Sequence, residues 1–154
     1  MMKISDILSV CSISLNNVFE EKEDLLNYLV ELANNSNKII DVEQVRNAVF
    51  EREDVMSTGV GKGIAIPHAK TESINSTVAA LVTLEEGIDY KSLDKKPVNI
   101  AILLLSEPVN IGNHLRMLSQ ISKLLNNESL RERIIDSKSN EQVIEIINKF
   151  EREI

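Results

Sequence analysis

The sequence predicts an α/β protein, a three-layer α/β/α sandwich around a small central sheet, and three observations carry that expectation. Two continuous apolar runs, TVAALVTL at 77–84 and VNIAILLL at 98–105, have the length of strands covered on both faces. Apolar residues recur at helical intervals before and after these runs, which supplies enough helical surface to cover both faces of a sheet. Between the runs lies only a short charged connection, EEGIDYKSLDKKP, too polar for a core segment and too short for a second domain.

Taken in order, the N-terminus MMKISDILSVCSISL carries one lysine and an apolar stretch broken by Ser5, Asp6 and Ser9, a poor signal peptide. Residues 23–35, EDLLNYLVELANN, set Leu25, Leu26, Leu29, Val30, Leu32 and Ala33 on one helical face, with acidic residues at the start. Asp41 and Gln44 have capping-box spacing, and Val42, Val45, Ala48 and Val49 carry a second helix toward Glu53. From Asp54 to Ala69 the periodicity vanishes, and Gly59, Gly61, Gly63 and Pro67 frame one strand-like piece, Ile64-Ala65-Ile66, so the segment reads as loop, short strand and loop. After Pro108, Ile111, Leu115, Leu118 and Leu125 mark a helical face, Leu130 and Ile134 a shorter helix, and Val143, Ile146, Ile147 and Phe150 a last one capped by Ser139. The charged end KFEREI reads as a solvated helix terminus.

A chain of 154 residues suits a single domain over 1–154, long enough to bury about two thirds of its unfolded surface without a disulfide or metal staple. Hydrophobic residues at 43% and charged residues at 27% exclude a disordered or fibrous class. A net charge of -7 argues against nucleic acid as a partner, because a phosphate-backbone binder needs a basic face. The single cysteine, Cys11, excludes an internal disulfide and a cysteine-rich zinc site, fits the cytoplasm, and reads as a small buried or half-buried residue. No segment approaches the roughly 20 apolar residues of a membrane span, so any work in transport is done from outside the bilayer.

The chemistry points to Ser57–Lys70, STGVGKGIAIPHAK. Its glycines fail both nucleotide fingerprints: Ile64 stands where the dinucleotide motif needs a third glycine, and Gly63 where the P-loop needs Ser or Thr after its lysine. What remains is a histidine behind a proline. Pro67 fixes its own φ and biases Ile66 toward extended backbone, so His68 is presented in a defined direction at the edge of the sheet. With an ordinary pKa of about 6.5, an imidazole has a free nucleophilic nitrogen near neutral pH and can accept and surrender a phosphoryl group. A histidine that only hydrogen-bonds within its turn is the plainer alternative.

His114, the second histidine, falls on the buried side of a helical first turn, either as a core residue or within reach of His68. The two histidines stand 46 positions apart with no cysteine joining them, which makes a metal site an unsupported reading. Arg52, at the end of the second helix, is a surface charge or a guanidinium fork for phosphate oxygens. Ser57 and Thr58 either donate to a phosphate or close the turn.

These residues resemble the enzyme IIA domains of the mannitol, fructose and nitrogen-regulatory class of the bacterial phosphoenolpyruvate-dependent phosphotransferase system. Glu53, Val60, Gly61, Ile64, Ala65, Ile66, Pro67, His68 and Ala69 satisfy every specified position of that family's signature. Arg52 sits where the family carries an active-site arginine, and His114, in HLRMLSQISKLL, where it carries a second active-site histidine; the likeness spans nearly the whole chain and is weakest before residue 40. The resemblance implies a mixed sheet flanked by helices and phosphorylation of His68 on Nε2 by phospho-HPr, with Arg52, His114, Ser57 and Thr58 as stabilisers and no cofactor. It further implies onward transfer to a cysteine of an enzyme IIB for uptake of a fructose- or mannitol-type sugar, at most peripheral to a membrane permease. The alternative is a nitrogen-regulatory enzyme IIA that controls partner proteins by its phosphorylation state, toward which the STGVGKGIAIPHAK stretch leans. An inert domain of the same fold is disfavoured by His68. Cys11 precedes the alternating SISL without a phosphate-binding loop and is not a IIB cysteine.

Overall fold

A strand buried on both faces needs apolar side chains at every position rather than at alternate ones, and the two apolar runs form such strands at the centre of the sheet. The computed structural model describes residues 2–154. In chain order the elements are α1 (Ile4–Ile7), β1 (Ile13–Asn17), α2 (Lys22–Asn34), α3 (Val42–Val55), β2 (Gly59–Gly61), β3 (Ile64–Ala65), β4 (His68–Lys70), β5 (Val78–Ile88), β6 (Val98–Ser106), α4 (Ile111–Asn126), α5 (Glu128–Ile135) and α6 (Asn140–Arg152). The strands form one mixed sheet in the order β1-β5-β6-β3-β2, with β4 also pairing β6. β5 and β6 are antiparallel, whereas β1 runs parallel to β5, and β3 and β4 parallel to β6.

Successive residues of the central strands point to opposite layers. Ala80, Val82, Leu103 and Leu105 join α2 and α3 in one core, while Ala79, Leu81, Ile102 and Leu104 join α1, α4, α5 and α6 in the other. The result is the expected three-layer α/β/α sandwich. Helix α3 starts at Asp41, whose carboxylate accepts from the amides of Glu43 and Gln44, and α6 starts at Ser139, whose hydroxyl accepts from the Gln142 amide. No helix is long and apolar enough to cross a membrane among the described residues.

The structure departs from the sequence-based reading in several places, among them strand β2 at Gly59–Gly61, where a loop is expected, and helix α1. Strand β1, in the SISL stretch, was not expected; it is an edge strand of mixed burial with a weak apolar signal. The loop expected after Ile66 is instead β4, because β3 and β4 lie along the same side of β6 and only Ile66-Pro67 interrupts them. Pro67 has no N–H to give, but its carbonyl accepts from the Leu104 amide at 3.0 Å and keeps the edge continuous. The charged connection is part core: β5 continues to Ile88, and Tyr90 is fully buried. On α4 the buried face is His114, Met117, Ile121, Leu124 and Leu125, while Ile111 and Leu115 face solvent. Cys11 is exposed rather than buried. Finally, Glu151 is not solvated: its carboxylate is buried and accepts from the amides of Ile4 and Ser5, capping a one-turn helix far away in sequence.

Candidate functional site

Gly63, at φ +81°, turns the chain from β2 into β3, and a side chain at Gly59 would collide with Ser92. The glycines therefore build a hairpin against the β6 edge, not a phosphate loop opening a helix. That hairpin delivers Pro67, and His68 opens β4 in register with Leu104 of β6. The backbone then fixes the ring. His68 Nδ1 lies 2.8 Å from the Ile66 carbonyl, an oxygen that can only accept, so Nδ1 carries the proton and Nε2 keeps its lone pair. His68 is half-buried, and burial, reinforced by the positive Arg52, holds its pKa below the usual value against the opposing pull of the Ile66 carbonyl. Near pH 7 it is a neutral imidazole with a bare Nε2.

His114 comes from the first turn of α4, across the end of β6. Its ring centroid is 5.5 Å from that of His68, at an interplanar angle of 54°. It is 3% exposed, and Nδ1 lies 2.7 Å from the Ser106 hydroxyl. Burial, with the neighbouring His68 and Lys70, pushes its pKa down to about 4. His114 is therefore neutral at physiological pH and can act on a ligand through a hydrogen bond, not through a net charge.

Arg52 lines the clefts on both sides of His68 from the last turn of α3. One guanidinium nitrogen donates to the Met56 carbonyl at 3.0 Å, capping its own helix, and no carboxylate pairs with it among the described residues. Its remaining donors are free for an anion. The structure thus brings together His68, His114 and Arg52, which lie far apart in the chain.

Ser57 and Thr58 line the cleft beside His68, but their hydroxyls are already engaged. Ser57 donates to the Tyr90 carbonyl at 3.2 Å and accepts from the Gly59 amide at 3.1 Å. Thr58 is 5% exposed, and both its amide (2.7 Å) and its hydroxyl (2.6 Å) donate to the Glu53 carboxylate. The turn-closing alternative describes the Thr58 hydroxyl; the phosphate-contacting expectation does not fit it.

Sequence reasoning missed the framework behind these residues. Glu53, recognised only as a signature position, is a buried anchor that also accepts from the Tyr90 hydroxyl at 3.0 Å and pairs with Lys22 Nζ at 3.0 Å. Lys22 lies 4.3 Å above the Tyr90 ring. Burial beside the carboxylate pushes the Tyr90 phenol well above its ordinary pKa, so it stays protonated. Ser106 was missed too; its only signal was a polar residue ending an apolar run. Around the mouth, Val55 (81% exposed), Met56, Leu93 (83% exposed) and Leu115 form an apolar rim that shares the clefts with His68.

The family described as "Phosphoenolpyruvate-dependent sugar phosphotransferase system, EIIA 2" matches residues 6–150. The fructose-specific EIIABC component of Bacillus subtilis (strain 168) is 34% identical over 151 residues, 98% of this chain; the chain spans about a quarter of that relative, 24% of its length. The fructose-specific EIIA component of Haloferax volcanii is 32% identical over 149 residues, covering 95% of this chain and 97% of the relative. Among solved structures, the nitrogen regulatory protein IIA-Ntr from Neisseria meningitidis superposes with a TM-score of 0.87 at 28% identity, over 94% of this chain and 98% of that one.

Proposed function

Because this chain belongs to the EIIA 2 family of the phosphoenolpyruvate-dependent sugar phosphotransferase system, a family of phosphocarriers, we propose that His68 is the residue that carries the phosphoryl group. The observation that supports this reading is the bond from His68 Nδ1 to the Ile66 carbonyl at 2.8 Å, which leaves Nε2 as the nucleophile. In the proposed step a phosphohistidine of HPr docks on the apolar rim, and the His68 Nε2 lone pair forms the new P–N bond. The old P–N bond breaks in line, its electron pair returning to the donor imidazole. Positioning and charge stabilisation are most of what such a transfer requires. Arg52 and His114 supply the stabilisation, one as a cation and one as a neutral donor. In this proposal Ser57 exchanges its 3.2 Å bond to the Tyr90 carbonyl for one to a phosphoryl oxygen, while Thr58 anchors the loop through Glu53.

The phosphoryl group then passes to a cysteine thiolate of an enzyme IIB: the bond to His68 Nε2 breaks as a P–S bond forms. On this reading residues 1–154 are one phosphocarrier domain acting in the cytoplasm, serving uptake of a fructose- or mannitol-type sugar. A second reading, regulation of partner proteins by phosphorylation state, is favoured by the closeness of the fold to IIA-Ntr. The test is incubation with enzyme I, HPr and phosphoenolpyruvate. One acid-labile, base-stable phosphate is expected, and full labelling of His68→Ala would remove the proposal. Adding a fructose-type IIB separates the two roles, since a transport component discharges to its cysteine and a purely regulatory one does not.

A further inference from the structure

Ser106 ends the apolar strand β6 as one of few polar groups in this part of the interior. It is 2% exposed, and His114, whose Nδ1 lies 2.7 Å from its hydroxyl, is 3% exposed, so neither falls back on solvent at that contact. The neutral ring has one proton for two nitrogens, and the pair can form its bond in two ways. If Nδ1–H donates to Ser106, the serine proton is stranded, because no other acceptor lies within reach of Oγ among the described residues. If the serine donates to Nδ1, both buried groups are satisfied and the ring proton sits on Nε2. Leaving a buried donor unpaired is the costlier outcome.

We infer that Ser106 is a positioning residue that locks His114 in its Nε2–H tautomer, so that the second histidine is a hydrogen-bond donor beside His68. The two rings then hold opposite tautomers. The Ile66 carbonyl fixes the proton of His68 on Nδ1 and bares Nε2; the Ser106 hydroxyl fixes the proton of His114 on Nε2 and covers Nδ1. His114 Nε2 makes no hydrogen bond to protein among the described residues, which leaves that N–H for a ligand. This division suits phosphoryl transfer. The acceptor needs a lone pair, whereas its neighbour faces phosphoryl oxygens, which are acceptors, and a bare Nε2 there would repel them. A charged His114 would donate regardless of tautomer, but burial keeps this ring neutral, so the location of its single proton decides its role.

The inference rests on the phosphocarrier reading for its purpose but not for its test. Long-range proton–nitrogen correlation spectra of the folded, unphosphorylated protein report each tautomer directly. The expected spectrum shows His114 as Nε2–H and His68 as Nδ1–H. Ser106→Ala should turn His114 into a tautomer mixture and slow transfer from phospho-HPr by about five-fold, the weight of one hydrogen bond. Ser106→Thr, which keeps the hydroxyl, should restore both. An Nδ1–H His114 in the unmutated protein, or a Ser106→Ala variant with unchanged tautomer and rate, overturns the inference. If instead His68→Ala is labelled in full while the tautomers are as stated, the carrier proposal fails and the assignment of Ser106 stands.

Discussion

Replacing Glu53 by glutamine keeps the shape of a buried side chain and removes its charge, and the structure allows the cost to be worked out. The carboxylate, 3% exposed, accepts from the Thr58 amide, the Thr58 hydroxyl and the Tyr90 hydroxyl and pairs with Lys22. An amide can still accept from the Thr58 N–H. Its NH2 end, however, faces the two hydroxyls that had donated to it, and Lys22 loses its counter-ion. Removing one partner of a buried ion pair costs about 3–5 kcal/mol. The Lys22 side chain, 14% exposed, can relax toward water, which places Glu53→Gln at the lower end, about 3 kcal/mol. For a chain of this length that corresponds to a fall in Tm of about 6–12 °C. Tyr90→Phe removes one bond to the carboxylate and should cost less, about 1.5–3 kcal/mol. The assay is urea unfolding at pH 7 followed by circular dichroism, with thermal melts as a check. Since Glu53 anchors the turn after Arg52 rather than the transferred group, Glu53→Gln measured well below its Tm should slow transfer less than Arg52→Ala. A stability loss below about 1 kcal/mol, the worth of an exposed pair, would refute the reasoning, because the carboxylate would then not be the buried anchor described.

Arg52→Ala should slow transfer from phospho-HPr by about two to three orders of magnitude, as for removal of one positioned charge stabiliser, and Arg52→Lys should recover only part, because a point charge replaces a fork; a rapid-quench rate for Arg52→Ala within about three-fold of the unmutated protein would return Arg52 to helix capping. His114→Gln, which keeps an N–H donor, should transfer faster than His114→Ala. The depressed pKa of His114, about 4, means that the unfolded chain binds its proton more readily. Its contribution to stability is therefore complete above about pH 6.5 and is lost as pH falls toward 4, by at most about 1.4 kcal/mol per pH unit. His114→Gln should flatten that part of the urea midpoint's pH profile, and an unchanged profile would show that the ring titrates normally.

What could be read from the amino-acid sequence was whatever depends on near neighbours in the chain. The runs at 77–84 and 98–105 are apolar at nearly every position, Thr77, Thr83 and Asn99 apart, because both faces are covered, and that requirement is written residue by residue. His68 was legible for the same reason: Pro67, the short strand before it and the carbonyl of Ile66 all lie within a few positions. The face of α4 shows the limit, since Ile111 and Leu115 fit a helical period as well as His114 and Met117 do. Only packing chose which stripe faces the sheet, leaving Leu115 on the rim and bringing His114 to His68. Tyr90 looked like part of a polar loop and Glu151 like a frayed end because their partners, Glu53 and the amides of Ile4 and Ser5, are 37 and more residues away. Burial of a charge or a hydroxyl is stable only when a partner arrives from elsewhere in the fold, and no local pattern announces that arrival. The proposed nucleophile was therefore legible in contiguous sequence, whereas the arginine, the second histidine and the serine beside it were brought together only when β4, β6, α3 and α4 converged.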